Sequence, residues 1–250
     1  IGTGKITTSE MRGIPHHLLD VADPHERFTA IQWKELAEKA ITDISARGKL
    51  PIICGGTGFY ADALINNTSL PPVPPNPKLR AKLEKLTTEV LGEKLKILDP
   101  KRLENIDQNN RPRLIRAIEI ATKLGHVPSL VVKHSVFNNC LKIGIKLDQE
   151  KLKKNIHNRL LKRLRAGLID EVKNLHENGV SWKRLKSFGL EYRFGAKLLK
   201  RKPQDFRSVS KPASRWVKRE EILGLELEIW HYAKRQMTWW KRNKDIKWVK

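Results

Sequence analysis

The chain predicts an α/β protein with a helical insertion, and three observations carry that reading. Leu50 to Tyr60 reads LPIICGGTGFY, an apolar run ending in glycines, which predicts a buried strand that turns sharply into a helix. A second strand pattern, CLKIGIKL, appears only at Cys140 to Leu147, and an IKWV run closes the chain. Between the first two lies LPPVPPNP, with five prolines from Pro71 to Pro77, followed by stretches that all have helical spacing.

Taken in order, residues 1–27 are loop-like, punctuated by Gly2, Gly4, Gly13, Pro15 and Pro24. Thr29 can cap a helix over Ala30 to Arg47, where Ile31, Leu36, Ala40, Ile41 and Ile44 recur at three- and four-residue intervals and Gly48 supplies a stop. The strand at Leu50 to Cys54 follows, then a short helix to about Ile65. Prolines cannot enter a helix interior or a central strand, so 71–77 is a stiff connector. Lys78 to Lys94, Leu95 to Glu104 and Arg111 to Leu124 read as helices. These limits define a core of 1–71 and 136–250 and a helical insertion of 72–135. Beyond the second strand, Glu150 to Ala166 and Ile169 to Glu177 are helical. SFGLEYRFG reads as a loop, 200–219 as a basic loop, and Glu220 to Arg242 as the last long helix.

Fifty Lys and Arg against 27 Asp and Glu give a formal charge of +23 over 250 residues. Such a surface gains counterion-release free energy on a polyphosphate, which makes a nucleic acid the leading partner. A membrane span is not expected, because no apolar run approaches the roughly 18 residues required. Cys54 and Cys140 belong to no pair motif, and Cys54 falls in the predicted strand, which favours a reduced, buried thiol in the cytoplasm. The histidines show no metal-ligand spacing, and no protein-held metal is expected.

Glycines at the carboxyl end of a parallel strand let backbone approach a ligand, so Gly55 and Gly56 are candidate binding residues and Thr57 is the hydroxyl in the crevice. A plain strand-to-helix turn fits the same residues. In HYAKRQMTWWKRN, charges at Lys234, Arg235, Lys241 and Arg242 alternate with Tyr232, Trp239 and Trp240. That pairing suits phosphates and stacked bases, or an amphipathic terminal helix with buried aromatics. Arg113 and Arg116 lie one turn apart beside Glu119, where a solvated helix face is the ordinary reading. Arg159 and Arg163 also sit one turn apart, directly after a predicted strand, within reach of a phosphate. Tyr192 and Arg193 fit either catalysis or a turn. No GxxxxGK[ST] phosphate loop is present, and IGTGK is too short to be one.

Together, IGTGK, PHHLLDVADP, PIICGGTGFY, RPRLIRAIE and YAKRQMTWWKRN resemble, in the same order, the motifs of the tRNA dimethylallyltransferases. The resemblance implies a P-loop NTPase-like, nucleotide-binding type of parallel-sheet core with a helical insertion that grips the anticodon stem-loop. It implies transfer of a dimethylallyl group from dimethylallyl diphosphate to the exocyclic amine of adenosine 37 in tRNA, with Mg²⁺ as cofactor, by a cytoplasmic monomer. Thr57 matches a threonine beside the reacting adenosine. Arg159 matches the second arginine of an RIxxR motif serving the diphosphate, whose first arginine is here Asn155. Thr3, Lys5, His16, Gly55 and Gly56 match substrate-binding positions. Arg80, Arg113, Arg116, Gly189, Lys234, Arg235, Gln236, Thr238 and Trp239 match tRNA-contacting ones, although GLEYR departs from the commoner GYxE after Gly189.

The family's phosphate loop and its DSR segment with the general-base aspartate would precede Ile1. The expectation is therefore a chain lacking upstream strands and inactive, or nearly so, by itself. A basic RNA-binding fragment without chemistry is the alternative from another class, and a P-loop kinase relative is a third.

Overall fold

The computed structural model describes residues 2–129, 140–201 and 217–249. The chain divides into two compact units, Ile1–Ala61 with Asn139–Lys250, and Asp62–Asn138. The expected boundary at 135/136 lies outside the described residues, as does most of the 200–219 basic loop.

The first unit begins with loop, broken by one turn of helix, α1 (Thr8–Met11), closed by a capping box between Thr7 and Glu10. Helix α2 (Ala30–Ala46) starts at a second capping box, in which the Thr29 hydroxyl accepts from the Gln32 amide, and it buries Ala37 and Ile41. Helix α3 (Gly58–Ile65) follows the glycine turn, its last residues, 62–65, belonging to the second unit. Strand β1 (Ile143–Ile145) lies parallel to β2 (Lys247–Val249), with Ile143 opposite Lys247 and Ile145 opposite Val249.

The core of this unit is helical. Helix α8 (Gln149–Arg165) buries Ile156, Leu160 and Leu164 at four-residue intervals. Helix α9 (Leu168–Glu177) adds Leu168, Ile169 and Val172, α10 (Trp182–Ser187) adds Leu185, and α11 (Leu190–Arg201) adds Tyr192, Ala196, Leu198 and Leu199. Helix α12 (Arg219–Trp240) closes the cluster with Leu225 and Ile229. A fully buried leucine contributes about 1.5–3 kcal/mol, so this stripe rather than helix propensity holds α8 through α12 in place.

In the second unit, α4 (Pro77–Leu83), α5 (Thr88–Leu98), α6 (Pro100–Glu104) and α7 (Arg111–Leu124) pack Leu83, Leu91, Leu95, Leu114 and Ile118 together. The predicted single helix from Lys78 to Lys94 is interrupted after Leu83, because Thr87 takes the N-cap position and its hydroxyl accepts from the Val90 amide.

Three expectations are corrected. Leu50 to Cys54 is not a buried strand. It joins no ladder among the described residues, and Leu50 and Ile52 are 82% and 81% exposed. An apolar strand needs neighbours on its edges and cover on its faces, and among the described residues β1 and β2 pair only with each other. Cys54, expected to be buried there, is an exposed free thiol. The predicted SFGLEYRFG loop is the end of α10 and the start of α11. Gly189 supplies the bend between them and Gly195 lets α11 close on Val172, whose Cγ2 lies 2.9 Å from where a Cβ would be. No helix among the described residues is long and apolar enough to cross a membrane.

Candidate functional site

The glycine turn and the terminal helix, far apart in sequence, meet in the first unit. A Cβ on Gly56 would fall onto the Gln236 side-chain amide, and one on Gly58 onto the Trp239 indole. The Trp240 indole N–H donates to the Gly56 carbonyl oxygen at 3.4 Å. The absence of side chains at Gly56 and Gly58 is thus a packing requirement. Gly55 has open space around it. Thr57 is exposed, and its carbonyl oxygen accepts from the Tyr60 amide at 3.1 Å to open α3. Tyr60 is held edge-on against Trp33 of α2, with ring centroids 5.3 Å apart.

The solvent side of α12 keeps its charges. Lys234 and Arg235 are exposed, Arg235 lies 5.8 Å from the Tyr232 ring centroid, and Arg242 lies 5.9 Å from that of Trp239. Thr238 returns its hydroxyl to the Lys234 carbonyl oxygen at 3.0 Å. Stacking surface and positive charge therefore stand together beside the glycine turn.

A second cluster lies where the opening loop meets α8, α9 and α11. The Arg163 guanidinium donates to Glu191 at 2.5 Å, and it occupies the place where a Cβ on Gly4 would stand. Arg159, one turn earlier, has no side-chain hydrogen bond or ion pair among the described residues. Its pKa is lowered by partial burial and by the like charge of Arg163, against the favourable Glu191. An arginine does not shed its proton under ordinary conditions, so Arg159 keeps its full positive charge there. Thr3 is exposed, and Lys5 is paired with Asp20 at 2.6 Å. His16 is exposed and bonds the Ile14 carbonyl oxygen through Nδ1 at 2.8 Å.

In the second unit two of the expected tRNA contacts are turned inward. Glu119, 2% exposed, accepts from Arg80 Nε at 2.7 Å, Arg80 Nη2 at 2.6 Å and the Asn76 amide at 2.8 Å. Arg116 reaches the same carboxylate at 3.4 Å and donates to the Val73 carbonyl oxygen at 2.7 Å. Burial works to raise the Glu119 pKa, but Arg80 and the Asn76 amide outweigh it and hold it below its ordinary 4.5. Arg113 is exposed. Gly189 sits at the entry of α11 with φ +147°.

Sequence reasoning missed Glu171, Glu191 and Glu119 as organisers of these clusters, and left Tyr192 open. The partners of Glu171 and Glu191 lie 21 to 169 residues away, where local spacing carries no signal, and for Glu119 spacing pointed only to Arg116, three residues before it, not to Arg80 or Asn76. Among the described residues no three His, Cys, Asp or Glu side chains group as a metal site. Glu191 holds Arg163, and Glu171 holds the opening loop. Mg²⁺ is commonly held by one or two carboxylates, waters and the substrate's own phosphates, so an Mg²⁺ that accompanies a diphosphate needs no such cluster, and no step below is routed through it.

A glycine turn seated on an aromatic, basic helix, and a separate arginine pair where the opening loop meets α8 and α11, are the two polar clusters of this α/β unit. The family model of the IPP transferases matches residues 1–243. A tRNA dimethylallyltransferase 2 of Trichlorobacter lovleyi is 38% identical over 245 residues, covering 97% of this chain and 74% of that protein. A tRNA dimethylallyltransferase of Anoxybacillus flavithermus is 36% identical, with 99% and 76% covered. The solved tRNA isopentenylpyrophosphate transferase of Bacillus halodurans superposes with a TM-score of 0.63 at 31% identity, over 99% of this chain and 75% of that one. The chain belongs to the IPP transferase family.

Proposed function

We propose that the protein transfers a dimethylallyl group from dimethylallyl diphosphate to the exocyclic amine of adenosine 37 in tRNA, within a P-loop type of α/β core. The observation that carries this is the seating of Gly56 and Gly58 on Gln236 and Trp239, because it assembles two motifs of the family into one surface. In the reaction the nitrogen–carbon bond forms as the carbon–oxygen bond to the diphosphate breaks. The electron pair leaves with the diphosphate, and the amine gives up one proton to solvent or to the released diphosphate. Arg159, unpaired among the described residues, takes the developing charge of the leaving group. Thr57 and the Gly55–Gly56 backbone lie at the base, while Thr3, Lys5 and His16 border the diphosphate.

Lys234, Arg235, Gln236, Thr238, Trp239 and Gly189 hold the RNA around an extruded base, which must leave its stack before it can react. Arg113, with Arg80 and Arg116 set by Glu119, engages the anticodon stem-loop from the helical unit. A cytoplasmic monomer accords with this reading.

The test is mass spectrometry of an anticodon stem-loop RNA incubated with the chain and dimethylallyl diphosphate in Mg²⁺ buffer. With the 250-residue chain run beside an upstream-extended form, the expected result is one added dimethylallyl unit on adenosine 37 by the extended form alone, reduced about a hundredfold in rate by Arg159→Ala. RNA binding without added mass by either form would instead make the chain an RNA-binding module.

A further inference from the structure

The opening loop is held by a relay that no motif of the sequence announces. Gly2 is buried against the Tyr192 ring, where an added Cβ would lie 2.7 Å from Cε2. The Gly2 amide donates to Glu171 Oε2 at 2.9 Å, and the Tyr192 hydroxyl donates to Glu171 Oε1 at the same distance. The Thr3 amide in turn bonds the phenolic oxygen. One carboxylate and one phenol therefore fix two consecutive amides of the loop.

Tyr192 is suited to this because it is 5% exposed and braced edge-on by Phe188, with centroids 5.5 Å apart. Burial, then the bond to Glu171, pushes its pKa up, so the phenol stays a donor. Its neighbour Glu191 grips Arg163, against which Gly4 is packed. Successive residues of α11 thus tie the loop to α9 and tie Arg163 of α8 to the same place. Arg159 is left facing outward without a partner among the described residues.

We propose that Glu171 and Tyr192 are positioning residues that hold the Gly2–Lys5 loop beside Arg159 and Arg163, so that loop and arginines receive the diphosphate as one preformed concavity. This rests on the reading of Arg159 as the diphosphate contact. A loop already ordered loses less freedom when the anion arrives, so the relay acts through affinity rather than by touching the ligand.

The experiment measures binding of inorganic pyrophosphate by titration calorimetry at fixed salt, on the full chain and on the Tyr192→Phe, Glu171→Gln and Arg159→Ala variants. Amide hydrogen exchange at Gly2 and Thr3 and the melting temperature are followed in parallel. Tyr192→Phe keeps the ring that packs on Gly2 and removes only the hydroxyl. The expected result is faster exchange at Thr3 and a Kd about three- to tenfold weaker, the range of one lost hydrogen bond, with affinity for a stem-loop RNA unchanged. Glu171→Gln, which can satisfy only one of its two donors through oxygen, should shift the Kd in the same direction.

A lowered melting temperature with an unchanged pyrophosphate Kd in both variants overturns the positioning role, because the relay would then be structural alone. If Arg159→Ala leaves the Kd unchanged while Tyr192→Phe weakens it, the diphosphate reading of Arg159 fails and the loop itself is the site. Failure of the unaltered chain to bind pyrophosphate overturns both.

Discussion

A Cβ at Gly58 would land on a rigid indole, one at Gly56 on the mobile end of Gln236, and one at Gly55 on nothing within 4 Å. These three glycines of one motif should therefore respond differently to the same substitution. Gly58→Ala has to displace Trp239 and should cost about 1–3 kcal/mol, the usual range for overpacking. Gly56→Ala should cost less, since the glutamine amide can swing aside. Gly55→Ala should stay within about 0.5 kcal/mol, as surface changes do. Urea denaturation midpoints at constant m give the order, and Trp fluorescence shows whether the indole has moved. Equal costs at all three positions would mean that the turn is held by its backbone conformation and not by its seat on α12.

At the scale of elements, α7 and α12 each divide their basic residues between structure and solvent. On α7, Arg116 serves Glu119 and Val73 while Arg113 is exposed; on α12, Gln236 and Trp239 face the glycine turn while Lys234 and Arg235 are exposed. Arg113→Ala and the Lys234→Ala, Arg235→Ala pair should weaken stem-loop RNA binding and flatten its log Kd against log salt plot by about one per charge removed, at unchanged stability. Arg80→Ala should instead lower stability first, because it leaves a buried carboxylate without its main partner.

The same division sets what sequence reasoning could reach. Helices α2, α7 and α8 were legible because a cap residue and a three-to-four spacing are local, and α9 and α12 because of the spacing alone. The bounds of α7 follow from Asn110, which caps its start, and Gly125, which ends it with φ +81°. Leu50 to Cys54 failed because whether an apolar run becomes a strand depends on neighbours that the run does not encode. Helix α11 failed because Gly189, Gly195 and the aromatics between them look like a turn until Val172 is opposite. The glycine turn and the terminal helix were each visible, but that they meet was not; Glu171 and Glu191 gained meaning only from partners distant in the chain, and Glu119 chiefly from Arg80, 39 residues before it.

At the scale of the whole molecule, the two units can be watched separately. All seven tryptophans lie outside 62–138, so indole emission reports only the first unit, while far-ultraviolet circular dichroism sees the helices of both. Each unit has its own buried cluster, which is the condition for unfolding as a unit of its own. Glu119 belongs to the second. Its arginines keep a quarter to a third of their side chains in solvent, at 26% for Arg80 and 33% for Arg116. Glu119→Gln should therefore cost roughly 2–3 kcal/mol, below the ~3–5 kcal/mol of a fully buried pair. The carboxylate titrates below its ordinary 4.5 in the folded protein. Its contribution is thus complete above that value and is lost as pH falls through the lower, folded-state one, where the unfolded chain binds the proton more readily. The expected outcome at neutral pH is an earlier circular dichroism transition in Glu119→Gln with the tryptophan transition in place. Below pH 4.5 the unaltered chain should lose the same helical signal, and the variant should show a shallower dependence on acid. Movement of both signals together would mean that the network stabilises the chain as one cooperative body, and that the arginines on α4 and α7 are held for the whole fold rather than for the helical unit alone.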